Sequence, residues 1–298
     1  SRDELAEIAI PKFLEELDPH TVYFTAEEAK GLEEELEGNF DGIGIQFNVF
    51  KDTVLVVSVI EEGPSEKSGL KSGDRIVFVN DTLIAGVGIS NEDVMGMLKG
   101  VGGSIVELKV FRRGFEKLLT VRIMRGEIPL KSVDAFYKIT DSIGYIKITS
   151  FAKNTHTQFI DAIFTMKQTG MKTVILDLRN NSGGYLYSAT DIVDEFLDNG
   201  KMIVYTEGRA RGKKVTNATT KRSVCTDMNI IVLIDEFSAS AAEIIAGAIQ
   251  DNDRGFIVGR RSYGKGLVQE STVFDDGSII RLTTARYYTP SGRCIQKS

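Results

Sequence analysis

Apolar and polar residues alternate along this chain in three successive rhythms. Residues 3–17, "DELAEIAIPKFLEEL", place apolar side chains at helical spacing between charges, with Pro11 kinking or dividing the stretch. Thr25, followed three residues later by Glu28, forms a capping box that opens a second, acidic helix. From Asp41 the rhythm shortens. "GIGIQFNVF" and "VLVVSVI" predict strands, "GPSEKSGL" a turn and short helix, and "KSGDRIVFVNDTLI" a turn and a further strand. "SNEDVMGMLKG" predicts a capped helix with Val94, Met97 and Leu98 on one face. Two more strands, joined at Arg113-Gly114, close a small barrel-like module over residues 39–126.

After Pro129, buried apolar strands alternate with helices. Strands are expected at "SIGYIKITSF", "TVILDL", "MIVYTEG", "NIIVLID" and "GFIVG". Helices are expected at "THTQFIDAIFTMKQTG", "SATDIVDEFLDNG" and "SAAEIIAGAIQDN". "LVQESTVF" and "SIIRLTTARYYTP" form a hairpin around Asp275-Asp276-Gly277. This alternation predicts an α/β core with a mostly parallel sheet. The loops "RNNSGG" and "EFSAS" fall just past strand ends, where such sheets gather reactive groups. The expected organisation is an N-terminal helical segment over 1–38, the small module over 39–126 and a core over 127–298. The helical segment is too small to fold alone and needs a surface on its own chain or on a second copy.

Composition adds exclusions. With 42% hydrophobic and 26% charged residues the chain is an ordinary globular sequence, and its net charge of −6 argues against a general affinity for nucleic acid. The basic stretch at residues 209–222 reads as a solvated surface loop, with a patch that touches substrate as the alternative. No apolar run has the length of a transmembrane helix. Cys225 and Cys294 make neither a metal-ligand pattern nor a disulfide framework; they could pair with each other, but read rather as two ordinary semi-buried thiols. No metal or organic cofactor is expected.

Candidate chemistry centres on Ser238 and Ser240, at the junction of a strand and an alanine-rich helix. Ser238 is the better placed to cap the helix, and spacing alone leaves it even whether Ser240 only caps or attacks a substrate. The amide of Ala241, in the helix's first turn, has no intrahelical partner and can face an oxyanion. Neither His20 nor His156 lies in a loop beside the serines. Lys265, flanked by Gly264 and Gly266 at the next strand end, is the alternative base. An ordinary lysine has a pKa near 10.4, so burial has to lower it before it can accept a proton. Gln269, four residues on, can face the same side and hold the amine. Gly183 and Gly184 offer exposed amides for an oxyanion.

Together these segments resemble the carboxyl-terminal processing peptidases, also called tail-specific proteases. "LDPHTVYFTAEE", "GIGI", "SGLKSGDRIVFVND", "GYIKITSF", "DLRNNSGG", "SASAAEIIAGAIQD" and "GRRSYGKGLVQ" carry the resemblance, which spans nearly the whole chain. It implies a serine endopeptidase with a crotonase-like core and an inserted PDZ module. It assigns a Ser-Lys dyad to Ser240 and Lys265, assisted by Gln269. The oxyanion donors map to Ala241 and to Gly183 or Gly184. Gly42, Ile43, Gly44 and Ile45 would cradle and pair with the C-terminal tail of a protein substrate, against Val94, Met97 and Leu98. The family also implies a periplasmic or otherwise extracytoplasmic setting, and the N-terminal helices offer a surface for a homo-oligomer. Two other readings are a binding scaffold for protein C-termini and a crotonase-like acyl-transfer enzyme.

Overall fold

Short connections decide much of this architecture. The computed structural model describes residues 9–14, 16–210, 212–219 and 223–297. The chain divides into two compact units, one formed by Asn39–Leu130 and the other by the chain before and after it.

In the larger unit one five-stranded sheet runs in the order Val133–Lys138, Ile143–Ile148, Thr173–Asp177, Asn229–Ile234, Gly255–Gly259. Its first pair is antiparallel and the other three are parallel. The parallel strands are joined by crossovers that carry the helices Thr155–Lys167, Leu186–Asp194 and Ala241–Asp251. Ile146, Val174, Leu176 and Val232 are fully buried among Phe159, Ile163, Ile192, Val193 and Ile245 of those helices.

The remaining strands form a second sheet, entirely antiparallel in its pairings. Ile279–Tyr288 pairs with Leu267–Val273, with Met202–Gly208 and with Val22–Phe24, and Gly212–Asn217 pairs with Met202–Gly208. The crotonase-like core expected from the sequence is therefore not what the chain forms: the core has one mixed and one antiparallel sheet. The reason is local. The links at residues 274–278 and 209–211 are too short for a crossover, so each strand returns beside the last as a hairpin. "MIVYTEG" thus belongs to the second sheet. Part of the basic stretch read as a loop is the edge strand Gly212–Asn217, whose residues are mostly exposed.

The N-terminal segment serves this second sheet. Residues 9–14 are helical, Val22–Phe24 adds a strand, and the expected capping box opens Ala26–Glu37. Glu28 Oε2 accepts the Thr25 N–H at 2.9 Å. Its described residues pack on the same chain, and with the strand Val22–Phe24 they are not purely helical.

In the smaller unit a six-stranded antiparallel sheet runs Ile45–Val49, Val54–Val59, Arg75–Val79, Ile105–Phe111, Leu119–Met124, with Thr82–Leu83 beside Arg75–Val79. It is open rather than a closed barrel, so Ile45–Val49 is left as an edge. The helices Pro64–Lys67 and Asn91–Leu98 complete the unit, and Val54, Ile76, Val94, Val106, Leu108 and Ile123 fill its core. A ribbon of Asn39–Gly42 with Gly126–Pro129 brings its two ends together.

Candidate active site

The two serines have different surroundings. Ser238 is fully buried: its hydroxyl donates to the Leu178 carbonyl at 2.8 Å and accepts the Asp235 N–H at 2.9 Å. Burial works against the charge on Asp235, but the N–H groups of Asn180, Phe237 and Ser238 and the Ser238 hydroxyl outweigh it and hold the carboxyl below its usual range. Ser238 and Asp235 therefore stitch the serine loop to the strand end at Leu178.

Ser240 is half-buried and opens into a cavity of about 500 Å³. It caps the helix Ala241–Asp251 with φ 54° and ψ −113°, a conformation that non-glycine residues rarely adopt. Such strain persists only where surrounding bonds enforce it. Here the enforcing group is Glu243, a buried carboxylate one turn into the helix. Its Oε2 accepts the backbone N–H of Ser240 at 2.9 Å and of Lys265 at 2.8 Å. Its Oε1 accepts the Ser262 hydroxyl and the Gly264 N–H, both at 2.7 Å. One side chain thus ties the serine's turn to the lysine's loop.

Lys265 lines the same cavity as Ser240. Among the described residues its amine has no anionic partner. Burial, helped by the nearby positive charge of Arg281, lowers its pKa from the ordinary lysine value. Gln269 also lines the cavity. Its Nε2 donates to the His20 carbonyl, which fixes the amide and leaves Oε1 as the end available to a donor.

The glycine loop completes this wall. A side chain on Gly183 would place its Cβ 2.8 Å from Ser240 Cβ and 3.2 Å from the Ala241 nitrogen, so only glycine fits there. Gly184 instead lies against Phe151, where an added Cβ would meet the carbonyl oxygen at 2.3 Å. The Gly183 N–H is donated to Asn181 Oδ1 at 2.9 Å, and Asn181 is held in turn by its bond to the Ile148 carbonyl at 3.0 Å. Behind the loop, burial opposes the charge on Asp177, yet Arg179, the Tyr145 hydroxyl and Lys147 bring its pKa down to about 2. Tyr145 is pushed up to about 12 by burial and by Asp177.

Neither histidine side chain lines this cavity. His156 Nε2 sits 3.0 Å from Glu195 Oε1, and that bond raises its pKa. Among the described residues no three His, Cys, Asp or Glu side chains are placed to hold a metal ion. Cys225 is buried and Cys294 exposed, and both are free. Burial pushes the Cys225 thiol up to about 12, so it stays protonated and unreactive.

In the smaller unit a groove of about 100 Å³ is lined by Phe40, Gly42, Ile43, Gly44, Ile45 and Phe47 on one side. The helix supplies Met95 and Leu98. Val94 is fully buried in the core, and Met97 packs against that core without lining the groove. Of the three helix positions expected at the groove wall, only Leu98 is there. The edge strand Ile45–Val49 runs beside it, with one side unpaired among the described residues.

The model of Peptidase family S41 matches residues 142–298, more than half of the chain. The chain belongs to that family. A PDZ domain model matches residues 42–123, inside the smaller unit. Among curated family members, a carboxy-terminal-processing protease of Bartonella bacilliformis is 36% identical over 297 residues, covering 98% of this chain and 67% of that one. The carboxy-terminal processing protease CtpA of Bacillus subtilis is 35% identical over 296 residues, covering 99% of this chain and 62% of that one. The chain thus spans roughly three-fifths to two-thirds of these relatives' length. The structure of a photosystem II D1 C-terminal processing protease superposes with a TM-score of 0.56 at 29% identity, over 98% of this chain and 79% of that one. A putative S41 protease from Bacteroides fragilis shares the fold at 17% identity and a TM-score of 0.53, over 93% of this chain and 76% of that one. These likenesses place the fold with S41 peptidases and overturn the crotonase-like expectation.

The sequence reading missed Glu243, which bonds the backbone of Ser240 and Lys265, and Arg281, which lines the cavity. Glu243 carried a usable signal, since Ser-x-x-Glu at a helix start is a capping-box pattern. Arg281 carried none, being one arginine in a strand.

Proposed function

We propose that the chain is a serine endopeptidase that cleaves proteins near their C-termini. Ser240 is the nucleophile and Lys265 its general base. The observation that carries this reading is the meeting of Ser240, Lys265 and Gln269 in one cavity, with the lysine amine half-buried, unpaired among the described residues and lowered in pKa. A neutral Lys265 takes the proton as the Ser240 hydroxyl attacks a peptide carbonyl. The Ala241 amide receives the oxyanion, joined by Gly183 once its N–H exchanges Asn181 for the substrate oxygen. The resulting ammonium protonates the leaving amine, and water then hydrolyses the acyl-enzyme. Gln269 Oε1 holds the amine between these steps.

The PDZ groove supports capture of a substrate tail. Gly42, Ile43 and Gly44 supply backbone at its end, Ile45–Val49 supplies an edge for strand addition, and Met95 and Leu98 supply apolar contact. Membership of the family supports an extracytoplasmic, periplasmic-type setting.

The test is cleavage of a protein with an accessible C-terminal tail by wild type and by Ser240→Ala. Cleavage by wild type alone is expected. Equal cleavage by both removes Ser240 as nucleophile, and cleavage by neither, with tail binding intact, favours a binding scaffold.

A further inference from the structure

Arg281 lies on the strand Ile279–Tyr288, paired with Ser271 two residues along from the Gln269–Thr283 pair. Strand alternation puts Arg281, Ser271 and Gln269 on one face, and all three line the Ser240 cavity. The guanidinium is half-buried. Among the described residues no carboxylate comes within 4.0 Å of it, whereas Arg112, Arg179 and Arg260 each meet an Asp or Glu. Its neighbour is the Phe24 ring, 5.2 Å away. The cavity also holds Glu35, Tyr185, Tyr187, Tyr287 and Lys265, and the Glu35 carboxylate forms no ion pair within 4.0 Å of the guanidinium. Burial without an anion is costly for a charged group, and it lowers the pKa of Arg281. A planar fork of donors facing a cavity, unpaired, suits a carboxylate from outside the chain.

We propose that Arg281 gives the catalytic cavity a carboxylate subsite, which binds an acidic side chain near the scissile bond or a free terminal carboxylate of the peptide. The proposal rests on the peptidase reading of this cavity, and its test reads binding separately from cleavage.

In the Ser240→Ala chain, affinities are measured for short fluorescent peptides with amidated ends, in which a single Glu is scanned along the sequence against Gln. Amidation silences any preference of the PDZ groove for a free terminus. At one position Glu should bind about ten-fold more tightly than Gln, the scale of a hydrogen bond to a charged group. Arg281→Gln should abolish that advantage and leave the Gln peptides' affinities unchanged. A free-against-amidated pair tests the terminal source, counting only the part of its advantage that Arg281→Gln removes. Arg281→Lys, which keeps the charge and loses the fork, should retain part of the advantage and serves if the Gln variant fails to fold. Equal affinities for every pair, or an advantage at the scanned position that survives in folded Arg281→Gln, would overturn the subsite. Absence of peptide cleavage by wild type with the Arg281-dependent preference intact would instead overturn the peptidase reading.

Discussion

Glu243 Oε2 accepts the backbone N–H of Lys265 at 2.8 Å, and the same oxygen accepts the N–H of Ser240 at 2.9 Å. The bond carries a mechanical consequence. The serine sits on a helix start and the lysine on a glycine-flanked loop, and neither element alone fixes the separation of hydroxyl and amine. A buried carboxylate with four donors does so without pairing with the lysine's ammonium, which would hold that amine protonated.

Glu243→Gln should therefore reduce kcat by about 100-fold through misplacement of Ser240 against Lys265, with a smaller change in KM. The amide keeps one acceptor but turns an NH₂ toward groups that donate. Steady-state kinetics on one peptide, with the fold checked by circular dichroism, reads this out. An unchanged kcat would show that the two loops hold their places without the carboxylate.

Lys265→Met should abolish turnover and raise thermal stability at neutral pH. The native pKa of Lys265 lies below its unfolded value. Below the native value both states carry the proton, and the folded state bears the full cost of a buried charge. Between the two values the unfolded chain binds the proton that the native chain lacks, so wild-type stability rises with pH. The advantage of the variant should shrink across that window. Melting temperatures of both proteins from pH 6 to pH 10 test it; a gap independent of pH would place the amine in water.

His156→Gln should remain fully active. Its raised pKa comes first from the bond to Glu195, so its stabilising contribution is complete below the unfolded histidine value near 6.5 and is lost as pH rises through the higher native value. The loss in melting temperature should be larger at pH 5.5 than at pH 9. Loss of turnover in a folded variant would return the base assignment to a histidine.

Leu98→Asp should weaken tail-dependent cleavage while leaving hydrolysis of a short peptide without that tail within about two-fold, because a charge placed in an apolar groove is costly. Comparing kcat/KM for the two substrates separates the effects. Equal losses on both would mean that the groove does not read the tail.

Much of this was legible from local patterns. The Thr25–Glu28 cap, the strands at "TVILDL" and "NIIVLID" and the alanine-rich helix follow from periodicity and capping chemistry, and each forms. Sheet membership was not legible, because "MIVYTEG" is as apolar as a parallel strand while its partners are fixed by short links elsewhere in the chain. Val94 and Leu98 share a helix face by spacing, yet only Leu98 reaches the groove, since a one-turn separation does not say where the core ends. The physical difference between Ser238 and Ser240 needed coordinates too. Ser238 is buried with its hydroxyl bonded to the Leu178 carbonyl, 60 residues away in sequence.

The most direct test of the central claim is the pH dependence of covalent labelling by a serine-reactive phosphonate, read by intact mass and peptide mapping. One label at Ser240 is expected, with a rate that climbs as pH rises through a midpoint below the ordinary lysine value of about 10.4 and collapses in Lys265→Met. A label on another residue, or a rate at Ser240 that the loss of Lys265 leaves unchanged, would contradict the account.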